Sequence, residues 1–491
     1  MQEMTYSGVR YRTSNQGDYI TKHPFGLSQI GSHKFTPVRR DPHTTIIDPF
    51  MMEAFQDYGD RFNFAKLDGW SRSLYTREGH MDSIHRIQSH TRFHKPTDTS
   101  MTKTDDYCLQ IFRTLGTVRS LDYHTQLGQV PFEPNSAAGI GIPGKKGDSG
   151  NLALAINQAV ATLQRSLRDG ISSVIEDSTP DMAYTRTQLT QLSAGIKVRN
   201  VFGQAFQYIL LEGLSASPLM DHFVTNETFF FVGSDPRISV PTLLEDFKKK
   251  GSLMMSIDWS AFDTSVENWE IVDAFNLLET ILEFPNLETR AAFEFSRILF
   301  INRKIAAPDG NVYFKQKSVP SGSYYTMLID SIINWRRILY LHHRATGFFP
   351  FDIRTQGDDS LVATRDSVSP EALMLQIPRN SQWQLNPSKC PIGKSGSSVP
   401  FLQRTLKWGD QSRDLDRVER LAIYPEYEVE SGDISAFRAR ALWEDCNYES
   451  VVLAHATSYL ESKYGIPTTV PRRYTNIWQT LFESKEREGL R

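Results

Sequence analysis

Two acidic blocks far apart in the chain carry the side chains best suited to hold a hard cation. The first is Asp258-Trp259-Ser260-Ala261-Phe262-Asp263 and the second is Gly357-Asp358-Asp359. Magnesium prefers carboxylate and phosphate oxygens in tight octahedral geometry, so aspartates on rigid backbone suit phosphoryl transfer assisted by two such ions. Asp258 and Asp358 are the expected shared ligands, with Asp359 assisting. One acidic dipeptide in a turn is by itself a common solvated hairpin, so the weight rests on the order of the blocks and on the elements around them.

Those elements are readable. Ser252–Ile257 is a short apolar run that predicts a buried strand ending at Asp258. Ile271, Phe275, Leu278 and Leu282 recur at helical spacing behind it. Pro308-Asp309-Gly310-Asn311 predicts a hairpin turn. Pro320-Ser321-Gly322-Ser323 then leads into a long helix. Its buried face is Tyr325, Leu328, Ile329, Ile332, Ile333 and Leu339, and Thr326, Asp330 and Asn334 form a polar stripe at intervals of four. Gly347 marks its exit. Asp352–Ala363 reads as two short strands around a tight acidic turn. Beyond about residue 411 the pattern is helical, with Ile434 to Lys463 as one run before Gly465 and Pro467.

The rest of the chain is less specific. Pro134–Gly147 is a flexible, polar, basic loop able to follow a phosphate backbone, but it lacks the Gly-Lys-Ser/Thr of a P-loop. His85, His90 and His94 have no cysteine partners at zinc-site spacing. The 491 residues are 40% apolar and 23% charged, which favours neither a disordered nor a fibrous chain. A net charge of -3 means that any nucleic-acid site must gather its cations locally. Cys108, Cys390 and Cys446 form no CxxC pair and read as small buried hydrophobes of a reducing compartment. No signal peptide is apparent, and no apolar stretch approaches the roughly 20 residues of a membrane helix. We therefore expect a soluble intracellular protein with no membrane association.

In sequence order, Asp258 to Asp263, Ser321-Gly322-Ser323-Tyr324-Tyr325-Thr326 and Gly357-Asp358-Asp359 resemble the first three palm motifs of viral RNA-dependent RNA polymerases. Lys197-Val198-Arg199-Asn200-Val201 resembles the basic fingers motif, Leu385-Asn386-Pro387-Ser388-Lys389 the motif with a lysine near the leaving pyrophosphate, and Phe401-Leu402-Gln403-Arg404 the palm-to-thumb motif. The combination Asp-Trp-Ser-x-Phe-Asp, Ser-Gly-Ser-x-x-Thr and Gly-Asp-Asp-Ser is most similar to partitivirus-type enzymes, with the picobirnavirus type next.

The resemblance covers roughly residues 130 to 410 and implies an α+β right-hand polymerase fold with an antiparallel-sheet palm, mixed fingers and a helical thumb. It places an N-terminal segment over residues 1–120, bridging fingers and thumb. Fingers then span 121–250, the palm 251–410 with a fingers insertion near 285–315, and the thumb 411–491. Asp258, Asp358, Asp359 and Lys389 are implied as catalytic, with Lys389 the general acid. Lys197, Arg199, Asp263, Ser321, Gly322, Thr326 and Asn334 are implied to bind nucleotide. Ser136, Gly139, Lys145 and Arg404 are implied to contact template or primer.

Mg2+ is the implied cofactor, with Mn2+ able to substitute. RNA and ribonucleoside triphosphates are the implied substrates, and a viral capsid protein the implied partner. The implied setting is the host cytoplasm, inside a virion with a double-stranded RNA genome. Asp330 stands where many related enzymes have Asn, so Asn334 is expected to supply the amide facing the ribose. A reverse transcriptase, or a non-enzymatic RNA-binding or capsid protein, are the competing readings.

Overall fold

Along Asp181–Thr187 every second residue is buried, the period of a strand with one covered face. This strand belongs to the first of two sheets that frame the site. The computed structural model describes residues 3–6, 9–12, 18–35, 44–88, 91–251, 253–365, 368–394, 396 and 398–470. His90 and residues 471–491 of the expected thumb lie outside the described residues.

In chain order the framing elements begin with strand β1 (Leu27–Ser32), helices α1 (Pro49–Tyr58) and α2 (Arg77–His85), strands β2 (Asp181–Thr187) and β3 (Val198–Gly203), and helix α3 (Phe206–Thr225). Strand β4 (Leu253–Ile257), helices α4 (Asn268–Glu279) and α5 (Leu287–Ile301), strands β5 (Arg303–Ala306) and β6 (Asn311–Lys315), and helix α6 (Thr326–Thr346) follow. The series ends with strands β7 (Asp352–Gln356), β8 (Asp359–Thr364) and β9 (Ile392–Gly393) and helices α7 (Leu415–Ile423), α8 (Gly432–Asp445) and α9 (Val451–Tyr464).

The first sheet has the order β1-β6-β5-β2-β3, with β3 at an edge. β5 is parallel to β2, and the other pairs are antiparallel. The hairpin β5–β6 turns at Gly310, whose φ of 88° favours a residue without Cβ. The second sheet, β7-β8-β4-β9, is antiparallel throughout. Helix α6 covers it, and Leu328, Ile329, Ile332 and Ile333 share one apolar core with Met255, Ile257, Phe275 and Val362. Each such side chain contributes about 1.5–3 kcal/mol by burial. Gly347 ends α6 in left-handed backbone, φ 78°, as its position in the sequence predicts.

The single helical run expected over residues 434–463 is two helices. Asn447 and Tyr448 adopt φ of 56° and 60°, which reverses the chain, and Ser450 caps α9 by accepting from the Leu453 amide. Cys446 is buried within the turn. The apolar pattern therefore runs through the break and conceals it.

Residues of the N-terminal segment meet both ends of the molecule. Met51, Ala54, Phe55 and Leu67 pack with Val418, Ala422, Ala439, Leu453 and Leu460 of the C-terminal helices. Buried Asp48 accepts from the Phe50 and Met51 amides and from Ser435 and Arg438. β1 meanwhile pairs with β6 in the five-stranded sheet. Among the described residues no helix is long and apolar enough to cross a membrane.

Candidate active site

β4 ends at Ile257 and delivers Asp258 to the rim of the second sheet. The β7–β8 register pairs Gln356 with Asp359, leaving Gly357-Asp358 as a two-residue turn. Gly357 has φ 61°, which suits the glycine-first hairpin turn. Because β8 lies beside β4, with Ser360 opposite Ile257, both acidic blocks reach the same end of the sheet. Desolvation raises Asp258 above the ordinary carboxylate range, and Asp358 adds to the rise while Lys389 and Lys197 oppose it. Asp359 is pushed to about 7 by desolvation, then by Asp358 and Asp258. Asp263 reaches about 6 through desolvation and Asp358, against Arg199.

These raised values have a consequence for stability. Between an ordinary pKa of 3.8 and about 7, folded Asp359 binds more protons than the unfolded chain does, so the contribution has a definite sign. In chelator, Asp359→Asn should gain melting temperature relative to the parent chain as pH rises from 4 through 7. A difference between the two that stays constant with pH would remove Asp359 from the explanation.

Three cations come from two other segments. Lys197 immediately precedes β3, and Arg199 lies on it, both exposed. Lys389 ends a single turn, Pro387–Lys389, in a segment that runs alongside β4. Ser260 donates to Gln384 O at 2.9 Å and Ser256 to Pro391 O at 3.0 Å. Opposite Asp258 the ladder is interrupted by that turn, and the Asp258 amide donates to Cys390 Sγ at 3.2 Å. Lys389 is thereby set beside Asp258.

Helix α6 supplies the floor. Ser331 Oγ accepts from the Gly357 amide at 2.8 Å. Asn334 has no exposed surface. Its Oδ1 accepts from Trp259 Nε1 at 2.8 Å, and its Nδ2 donates to Gly357 O at 3.0 Å and Asp359 O at 3.3 Å. The expectation that Asn334 faces a ribose is corrected: its amide is committed to fixing the acidic turn against β4. Asp330 is the residue of the stripe that remains. It is 6% exposed, and its Oδ1 is buried with no hydrogen-bond partner. Desolvation, then Asp263 and Asp358, hold it well above the usual carboxylate range.

A model of the family "Viral RNA-dependent RNA polymerase" matches residues 46–461. The chain belongs to the viral RNA-dependent RNA polymerase family. The RNA-directed RNA polymerase of Cryptosporidium parvum virus 1 (strain KSU-1) is 31% identical over 109 residues, which is 22% of this chain and 20% of that relative. The chain thus spans about one-fifth of the curated relative it matches. A human picobirnavirus RNA-dependent RNA polymerase, solved as an insertion-loop deletion mutant, has a TM-score of 0.63 at 16% identity over 90% of this chain and 85% of that one. Sicinivirus 3Dpol RNA-dependent RNA polymerase has a TM-score of 0.67 at 13% identity over 94% and 99%. These two likenesses carry the right-hand polymerase fold. Family membership sets aside the reverse transcriptase reading.

The remaining expected residues fall into three groups. Ser321, Gly322 and Thr326 lie where the loop before α6 meets β3. Thr326 Oγ1 closes that loop on Pro320 O at 2.6 Å, and a Cβ at Gly322 would overlap the Phe202 carbonyl. In the basic loop, Lys145 is exposed, and Ser136 accepts from Lys146 Nζ at 2.6 Å. Gly139, at φ 86°, is pressed so closely on Gln204 and Ala205 that a Cβ would lie 2.7 Å from their backbone. Arg404 requires a correction. It is 5% exposed, and its guanidinium is bonded to Gln411 Oε1 and Asp445. It joins the segment around residues 401–404 to α8 and is not free to face RNA.

Several supporting residues escaped the sequence reading. Glu212, in the apolar run Ile209-Leu210-Leu211, is fully buried and holds the loop before α6. It accepts from Ser323 Oγ at 2.9 Å and the Tyr324 amide at 2.8 Å, and pairs with Arg303 at 3.0 Å. A lone acid among apolar residues was the available signal. Arg337 on α6 bonds Glu270 at 2.7 and 2.8 Å and Ser265 Oγ at 3.0 Å. It also lies over the rings of Trp259, Phe262 and Trp383. This buried pair secures the turn after Asp258, where Ala261 sits in left-handed backbone at φ 51°. Arg337→Ala strands the Glu270 charge, and a loss of about 3 kcal/mol or more is expected in denaturant unfolding. A loss under about 1 kcal/mol would show that the pair does not secure the turn.

Proposed function

We propose that this chain performs template-directed synthesis of RNA from ribonucleoside triphosphates. The supporting observation is that strand register brings Asp258 and the Gly357-Asp358 turn to one end of the same sheet, with the segment that carries Lys389 bonded alongside Asp258. Asp258, Asp358 and Asp359 are hard oxygen donors brought to one end of the sheet by the β7–β8–β4 register, a donor set suited to divalent cations and above all Mg2+, with Mn2+ able to substitute. Among the described residues no closed cage of three or more His, Cys, Asp or Glu is preformed. Bound cations would supply charge neutralisation on the attacking and leaving oxygens.

The chain's own side chains account for the rest. Lys197 and Arg199 neutralise the triphosphate, Arg199 with a planar fork. Lys389 donates a proton to the departing pyrophosphate oxygen. Asp263 and Asp330 face the ribose, while Ser321, Gly322 and Thr326 set the loop against which the nascent pair rests. Ser136, Gly139 and Lys145 place the basic loop along the template. The polymerase serves a double-stranded RNA genome and works with capsid protein inside a virion in the host cytoplasm.

Purified protein incubated with single-stranded RNA, the four nucleotides and Mg2+ or Mn2+ should yield a strand complementary to the template, measured by product strandedness. Template-independent addition alone would refute the reading. Lys389→Leu should slow single-turnover incorporation at saturating nucleotide by about 10²-fold, the lower range for loss of a general acid, with little change in nucleotide affinity. An unchanged single-turnover rate would exclude the acid role.

A further inference from the structure

An edge strand presents N–H and C=O groups that no neighbouring strand satisfies, and β3, which carries Arg199, is the edge of its sheet. Here side chains take the place of the missing strand. The Asn200 amide donates to Ser83 Oγ of α2 at 3.0 Å, and its carbonyl accepts from Ser321 Oγ at 3.5 Å. Ser321 Oγ in turn accepts from the Phe202 amide at 3.3 Å. The Asn200 side chain is engaged as well, with Oδ1 3.1 Å from His80 Nε2. His80 is 2% exposed, and its Nδ1 lies 3.3 Å from the Tyr75 hydroxyl. With a proton on Nε2 the ring donates to Asn200 Oδ1.

Packing fixes which face is which. Ile84 and Ile87, on and just after α2, share a core with Phe202, and Val198 lies against Gly79. Val198, Asn200 and Phe202 therefore face α2, and strand alternation sends Arg199 to the other side. That side is where Arg199 lowers the pKa of Asp263 and Asp359. A shift of β3 along or about its axis would carry Arg199 with it, although the contacts that hold the strand to α2 are made by Asn200 and its neighbours.

We propose that α2 of the N-terminal segment is part of the nucleotide site, with His80 and Ser83 acting as positioning residues that fix Arg199 through Asn200. The proposal rests on the reading of Arg199 as a triphosphate ligand. It gives residues 77–85 a task in substrate affinity that nothing in their own sequence announces.

The test uses the full chain in single-nucleotide incorporation, with KM for nucleotide and kcat measured separately. Ser83→Ala and His80→Ala should each raise KM about fivefold, the scale of one net hydrogen bond, with kcat within about twofold. Ser83→Thr and His80→Gln, which keep the acceptor and the donor, should restore KM. In an Arg199→Ala background the effect of Ser83→Ala on KM should vanish, because the group being positioned is gone. Full persistence of that effect without Arg199, or a fall in kcat at constant KM, overturns the positioning role alone. If Arg199→Ala itself leaves KM unchanged, the reading of Arg199 fails and the proposal falls with it.

Discussion

Asp258→Asn and Asp358→Asn are each expected to reduce RNA synthesis by roughly 10³-fold or more, the upper scale for loss of one essential electrostatic group at a reacting centre. Asn keeps the size and one acceptor oxygen of Asp but removes the charge, so the backbone arrangement should survive. Asp258 stands exposed at the strand end, and Asp358 sits in the two-residue turn. Neither side chain anchors the fold as Asn334 or Arg337 does. Stability and template binding should therefore change little, and Mn2+ binding followed by titration should weaken in parallel with activity. Asp359→Asn should be milder, since Asp359 heads β8 while Asp358 occupies the turn itself. Near-normal synthesis by either of the first two variants would overturn their assignment as metal ligands.

Why Asp258 and Asp358 were legible and Asn334 was not follows from the range of the forces involved. A strand end and a Gly-Asp-Asp turn are set by residues within a few positions, so local pattern places their side chains. The register that brings the two blocks together, Ser360 opposite Ile257, needs only that the strands be neighbours. On α6, by contrast, spacing of four tells that Thr326, Asp330 and Asn334 share a face but not which neighbour each will meet. The partner that settles Asn334 is Trp259 Nε1, 75 residues away. Arg404 was misread for the same reason, since its partner Asp445 lies 41 residues on. The buried acids Glu212 and Glu270 are legible only as anomalies, because a charge inside an apolar run shows that a partner exists without naming it. The break between α8 and α9 was hidden by a buried cysteine that continued the apolar pattern through a turn.

Sugar selection is where the correction on α6 has its largest expected effect. Asp263 lies at about pH 6 in its ionisation, and Asp330 is held above the ordinary range by burial and by Asp263 itself. Burial and the neighbouring Asp263 charge disfavour ionisation of Asp330, so Asp330 is the member of the pair that holds its proton more firmly. Such a pair offers one donor and several acceptors, which matches a ribose 2'-hydroxyl that both donates and accepts. A 2'-deoxyribose would leave Asp330 Oδ1, already without a protein partner, buried and unsatisfied, and sites of that kind reject the analogue lacking the hydroxyl strongly. Asp330→Ala is expected to lower ribonucleotide-over-deoxyribonucleotide discrimination by about 10²-fold, part of the range available to a hydroxyl-reading site. Asp330→Asn, which keeps shape and a donor, should lose much less. Asn334→Ala removes three bonds that fix the acidic turn, so it should slow incorporation of both sugars and leave their ratio nearly constant. The measurement is kcat/KM for each nucleotide in the three variants. A ratio that collapses in Asn334→Ala but survives in Asp330→Ala would return the sugar contact to the asparagine and reduce Asp330 to a buried acid held for packing alone.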